Sequence, residues 1–365
     1  MTDKLVAILT LALLFTGCGP KEKTPEEIYT EQASGVVMVL NQYYYSAELY
    51  NGSTIYFSGM KDGELEDISF DEDSIKKSMA FGTAFFVDNE GSLITNRHVV
   101  DPVIAPSEVK EYVRNIIDGL KAMAEYSQQQ MIQQLQSLQQ QIEDNTYLNY
   151  DEYYGLYTTE SDENDELREK QRLLAQEYEE AQDFIDRLSH IDVSDLKITT
   201  HCEIGIAYHD TYVTSPDDFK SCVVVKTDQN EDVDLALIRL KDKVTPNGKF
   251  VFSLPKDEGK TFGPNQEERG ALSLNQQLVL IGYNHGVQLA ATREGIKAQL
   301  TTGNVSQQPD DDRVMYTIPV LTGSSGSPVV NKWGEVVAVN FAGLNGTQSF
   351  NFGIPLKKIK QFMDQ

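Results

Sequence analysis

Histidine, cysteine and basic residues are all scarce in this 365-residue chain, with five His, three Cys, and 31 Lys and Arg set against 56 Asp and Glu. The resulting formal charge of -25 leaves no basic face for a polyanion, which excludes nucleic acid as the expected partner. It equally opposes direct adhesion to anionic lipid headgroups. No set of His, Cys, Asp and Glu has the spacing of a defined coordination geometry, so neither a metal nor a cofactor is expected. The acidic run Asp310-Asp311-Asp312 suits solvation or weak calcium contact and defines no site. Internal repeats are absent. With 40% hydrophobic residues the chain can still build a two-lobed body plus an appendage.

The scarcity of histidine makes the search for a general base short. The five are His98, His190, His201, His209 and His285, and all precede Thr322-Gly323-Ser324-Ser325-Gly326-Ser327-Pro328. A serine between glycines is a candidate nucleophile, and the chain order of histidine, acid and serine discriminates between unrelated folds that build one geometry. Histidine before serine excludes the hydrolase order in which it comes last, and Ser327 stands where a G-x-S-x-G elbow needs glycine. An order of acid, then histidine, then serine is formally open but has no supporting motif.

Local context selects the members. Residues 81–87, a polar turn at 88–91 and residues 92–95 predict a hairpin of two apolar strands, with His98 following on a rigid element, as a general base requires. Asp234 opens the apolar strand 235–240, where a carboxylate at the core edge needs a partner. An imidazole N–H supplies one and fixes the tautomer. Asp232 is the weaker candidate because it lies back in the acidic connection 231–234. Glycines around Ser325 permit the tight loop in which the Gly323 and Ser325 amides converge on one oxyanion.

Gly82-Thr83-Ala84-Phe85, Ile94-Thr95-Asn96-Arg97-His98-Val99-Val100, Asp234-Leu235-Ala236-Leu237, Leu280-Ile281-Gly282-Tyr283, the Ser325 loop, the hairpin at 331–337 and Phe352-Gly353-Ile354-Pro355 occur in one order. Together they resemble the chymotrypsin-like serine proteases, and within them the bacterial HtrA (Do-like) branch. The resemblance implies a mainly β fold, a double antiparallel β-barrel with the site between the barrels. It implies His98, Asp234 and Ser325 as the triad, Gly323 and Ser325 as oxyanion donors, and polypeptides as substrates. It also places the floor of the primary pocket near Pro319 and Val320 and its wall near Phe341 and Ala342. With no acid there to pair a basic side chain, small or aliphatic residues are expected before the scissile bond. Ser324 replaces the aspartate that digestive members pair with a freed N-terminus, so no activation of that kind is expected. Ser327 stands where many relatives have glycine. Many HtrA-like chains continue into a peptide-binding PDZ domain, whereas this one ends at Gln365 and none is expected.

Between the two halves of the first barrel, residues 103–197 form a Gln-, Glu- and Leu-rich insertion. Leu167, Gln171, Leu174, Tyr178, Ala181, Ile185 and Leu188 follow a four-three spacing, the seam of a coiled-coil-like helix. Val109, Val113, Ile116, Leu120 and Met123, then Met131, Leu135, Leu138 and Ile142 after a phase shift, do the same upstream. An antiparallel α-helical hairpin joined by the tyrosine-rich acidic stretch 145–165 is expected. Leaving the body just after His98, it is read as a gate, docking arm or self-association element, with a passive spacer as the alternative.

At the N-terminus, Lys4, the apolar run 5–15 and Thr16-Gly17-Cys18 read as an export signal too short to remain as a membrane span. The residues before Cys18 resemble a bacterial lipobox, which implies a diacylglyceryl anchor on Cys18 and a location at the cell envelope, facing the periplasm or exterior. Cys202 and Cys222 then remain, as a candidate disulfide or as two buried thiols. A bridge would close a loop of about 20 residues and stabilise by about 3 kcal/mol. The expected organisation is 1–18 signal, 19–27 tether, 28–242 first barrel interrupted by 103–197, and 243–365 second barrel with a C-terminal helix. A second reading keeps the fold but treats catalysis as idle, with a lipid-anchored scaffold engaging a partner through the insertion.

Overall fold

The computed structural model describes residues 21–49, 52–230, 232–254, 272–343 and 350–365. They form two compact units. One comprises Tyr44–Lys76 and Ile104–Thr199; the other comprises Lys77–Val103 and the described parts of Met1–Tyr43 and Thr200–Gln365.

The second of these carries two antiparallel barrels. Six strands build the first: β1 (Val36–Glu48), β2 (Ser78–Phe86), β3 (Ser92–Thr95), β4 (Lys197–Tyr208), β5 (Lys220–Thr227) and β6 (Ala236–Leu240). Their order is β1-β2-β3-β6-β5-β4, and a further pairing of β4 with β1 closes the ring. The other barrel contains β7 (Gln277–Gly282), β8 (Gln299–Asn304), β9 (Val314–Tyr316), β10 (Pro328–Val330), β11 (Val336–Gly343) and β12 (Asn351–Pro355). They run β8-β7-β10-β11-β12-β9, and a bridge between Val305 and Tyr316 draws the two edges together.

The strands read as unbroken apolar runs because both of their faces are buried. Along β1, Val36, Met38 and Leu40 join a cluster with Phe85, Ile94, Leu237, Val279, Ile281 and Tyr283, drawn from both barrels. Alternate residues Val37 and Val39 point the other way, to Ala84, Phe86, Leu93, Ile206 and Ile238 inside the first barrel. Leu278, Leu280, Val305, Val329 and Val337 fill the second barrel. One sheet face thus fills each barrel and the other seals barrel to barrel, which fixes the loops at their junction.

Helix α1 (Pro25–Gln32) opens with a capping box between Thr24 and Glu27 and Pro25 in the first turn. It therefore takes up the end of the segment 19–27, which the sequence reading sets aside as a tether. The strand hairpin ends in helix α2 (Arg97–Val100), whose second residue is His98.

In the other unit, helices α3 (Pro106–Asp144) and α4 (Glu163–Ser189) run antiparallel. At 39 residues α3 spans about 58 Å. A β-ribbon, Thr146–Asp151 paired with Gly155–Glu160, joins them where the sequence suggested only a connection. On α4 the residues withdrawn from solvent include all seven of the expected seam positions. The expected seam on α3 requires correction: Ile116, Leu120 and Met123 are exposed, and Ile117, Lys121, Ala124 and Gln128 face inward instead. The four-three spacing then runs unbroken from Ile117 to Ile142, with the phase shift moved upstream between Val109 and Ile117, and it places Gln128 in the seam, where it donates to Tyr178 O at 3.4 Å and Gln182 Oε1 at 3.1 Å. Tyr44–Lys76 adds the strand Thr54–Phe57, paired with the end of β1, and a hairpin turning on Asp62 and Gly63, both with positive φ.

Candidate active site

His98 and Asp234 are brought together across 136 residues of chain, with His98 Nδ1 2.6 Å from Asp234 Oδ2 and the His98 backbone N–H donating to Oδ1 at 2.9 Å. Both carboxylate oxygens therefore hold one histidine, by ring and by main chain. Asn96, wholly buried, donates from Nδ2 to the Asp234 carbonyl at 2.8 Å and anchors the acid's own backbone. With Nδ1–H committed to the carboxylate, Nε2 is the acceptor that remains.

Ser325 sits in a loop whose hydrogen bonds are nearly all accounted for. Leu321 O accepts from Ser324 N at 3.0 Å and Oγ at 2.7 Å, and Thr322 O accepts from His285 N at 2.6 Å. Gly323 O accepts from Thr83 Oγ1 at 2.8 Å, and Ser324 O from Asn340 Nδ2 at 3.0 Å and Ser327 N at 3.1 Å. Ser325 O accepts from Thr83 N at 2.8 Å. Five consecutive carbonyls are engaged, whereas among the described residues the Gly323 and Ser325 amides donate to nothing. Two unpaired amides flanking a serine are what an oxyanion needs. A φ of +98° at Gly323 and +87° at Gly326 gives the loop its shape.

Thr83 ties this loop to β2. Its hydroxyl also accepts from Tyr283 N at 3.0 Å, and its carbonyl accepts from Thr95 Oγ1 at 2.7 Å, three residues before His98. The Ser325 loop and the strand end leading to His98 thus meet on one buried threonine. The Ser325 hydroxyl makes no hydrogen bond among the described residues, as is common before substrate is bound. Tyr316, fully buried, has a phenol pushed well above its ordinary pKa by desolvation, so it stays a donor.

Of the residues expected to line the primary pocket, Pro319 is exposed, Val320 packs half-buried on the interior of the second barrel, and Phe341 packs on the inter-barrel cluster with its ring 6.4 Å from that of Phe352. Ala342 pairs in register with Phe352, and its side chain lies outside the described residues. So does Cys18. Cys202 and Cys222 are free thiols, which corrects the candidate disulfide. The pairing of β4 with β5 comprises Ile206 with Lys220 and Gly205 with Ser221. Burial pushes the Cys222 thiol up to about 12, so it is inert at neutral pH.

Sequence reasoning missed Thr83, His285, Tyr316 and Asn340 as members of the site. Two of them carried a readable signal: Thr83 and Asn340 are polar residues inside otherwise apolar strands, and such residues need buried partners.

Residues 193–339 match the family described as Trypsin-like peptidase domain. That segment contains Asp234 and Ser325 and begins downstream of His98. No curated protein matches the chain. Among solved structures it is similar to the serine endoprotease from Yersinia pestis, at 11% identity and a TM-score of 0.42, over 94% of this chain and 66% of that one. The chain thus spans just under two thirds of that protein's length.

Proposed function

We propose that this chain is a serine endopeptidase in which Ser325 is the nucleophile, His98 the general base and then acid, and Asp234 the residue that orients His98. The observation that carries the reading is the pair of unpaired amides at Gly323 and Ser325 beside a loop joined through Thr83 and Thr95 to the His98 segment. Ser325 Oγ attacks the scissile carbonyl carbon while its proton passes to His98 Nε2. The tetrahedral oxyanion takes the two amide N–H groups. His98 then returns the proton to the leaving amine, giving an acyl-enzyme that water hydrolyses by the same steps in reverse order. A fluorophosphonate probe should label the purified protein at Ser325, and a peptide library should show cleavage after small or aliphatic residues. Absence of labelling would reject the mechanism, and strict cleavage after Arg or Lys would reject the pocket assignment.

The reading extends to a cell-envelope enzyme held by acyl chains on Cys18, supported by the apolar run 5–15 and the small residues before the cysteine. Replacing Cys18 with Ser should move the protein from the membrane to the soluble fraction. Retention of the variant at the membrane would count against the anchor.

A further inference from the structure

A trans peptide holds its C=O and N–H antiparallel in one plane, so fixing the direction of a carbonyl fixes that of the amide behind it. The Ser325 N–H shares its peptide with the Ser324 carbonyl. That carbonyl is gripped from the far side by Asn340 Nδ2 at 3.0 Å, and the same nitrogen lies 3.2 Å from Ser324 Oγ. Asn340 also holds the loop by its own main chain: its N–H donates to Ser327 O at 2.9 Å and its carbonyl accepts from Gly326 N at 2.8 Å. The side chain of Asn340 is oriented in turn. The Tyr316 hydroxyl lies 2.7 Å from Asn340 Oδ1 and 2.9 Å from Phe352 O, sharing one proton between two acceptors. With Oδ1 facing that donor, Nδ2 must face Ser324.

We infer that Asn340, backed by Tyr316, is a positioning residue that aims the Ser325 amide at the developing oxyanion, an inference that rests on the acyl-transfer reading above. Asn340 and Tyr316 are 2% and 0% exposed, so water does not substitute for either bond. No charged group takes part in the network, so the loop is held without any ionisation step. A buried neutral clamp on the back of one oxyanion donor acts on the transition state more than on substrate binding, because the donor's full bond forms only when charge appears on the carbonyl oxygen.

The test compares wild type, Asn340→Leu and Tyr316→Phe as full-length proteins, using an alanine or valine p-nitroanilide peptide and the matching peptide aldehyde, which forms a tetrahedral adduct with the serine. Asn340→Leu should lower kcat by about 100-fold with KM changed by less than about threefold, and should weaken the aldehyde by the same factor as kcat. Tyr316→Phe should shift kcat and aldehyde affinity together by about fivefold, again with little change in KM. Unchanged kcat and aldehyde affinity in folded Asn340→Leu would overturn the inference, as would losses that only follow the unfolded fraction. If Asn340→Leu does not fold, Tyr316→Phe decides by the same readouts. Failure of wild type to cleave any peptide or to take the fluorophosphonate would instead overturn the acyl-transfer reading, which separates the two.

Discussion

Asp234→Asn should lower kcat by about 10⁴-fold while leaving thermal stability nearly unchanged. The carboxylate accepts two bonds from one residue, the His98 ring N–H at 2.6 Å and the His98 main-chain N–H at 2.9 Å. An amide of the same shape has one acceptor and one donor end. The main-chain N–H cannot change its role, so the amide oxygen is drawn to it and the NH₂ group turns toward Nδ1. The ring proton must then sit on Nε2, the nitrogen that has to accept the proton of Ser325. The geometry survives and the base is disabled. Hydrolysis rates of a p-nitroanilide peptide and fluorophosphonate labelling rates should fall together, with the melting temperature as the control. A loss of less than about tenfold would show that Asp234 is not the acid of the triad.

The framework of the site was legible in the sequence to different depths. His98, Asp234 and Ser325 could be singled out because each sits at the edge of an apolar strand or in a glycine loop, where a polar side chain needs a partner or a chemical task. The antiparallel strand pair 81–87 and 92–95 was readable because its turn is polar and its arms are apolar, and β2 and β3 form there. The seam of α4 was readable because one four-three spacing runs unbroken from Leu167 to Leu188, although Leu173 and Phe184 stay exposed outside it. On α3 two registers competed. Ile116 and Ile117 are adjacent and both apolar, and only the position of α4 decides that Ile117 turns inward. No local pattern encodes that choice.

What stayed hidden are the residues acting through the backbone of others. His285 contributes to the site by its main-chain N–H, placed on Thr322 O by a backbone of positive φ (+57°), and no side-chain pattern announces such a role. Asn340 and Thr83 could be marked as polar intruders in apolar strands, but their partners lie 16 and 240 residues away, at Ser324 and Gly323. Topology alone brings those ends together. The Ser325 loop thus has its candidate catalytic residues written locally and its supports written elsewhere in the chain.

Gly326→Ala should destabilise the protein by on the order of 3 kcal/mol or more and remove activity even in the fraction that folds. A Cβ on Gly326 would lie 2.0 Å from Thr83 O and 2.5 Å from Thr95 Oγ1. Neither obstacle can step aside cheaply. Thr83 is paired with Met38 inside β1 and β2, and its carbonyl already holds the Thr95 hydroxyl at 2.7 Å. The loop would have to lift instead, breaking the Thr83 N–H bond to Ser325 O and the Thr83 Oγ1 bond to Gly323 O. Positive φ adds its own cost of about 1–2 kcal/mol for any L side chain. Gly248 separates the two contributions, because its φ is +81° and nothing lies within 4 Å of its Cβ position. Gly248→Ala should therefore show the backbone cost alone, about 1 kcal/mol by denaturant titration, with activity intact. Equal losses for the two substitutions would mean that the contact between Gly326 and Thr83 does not hold the loop, and the clamp through β2 would have to be abandoned.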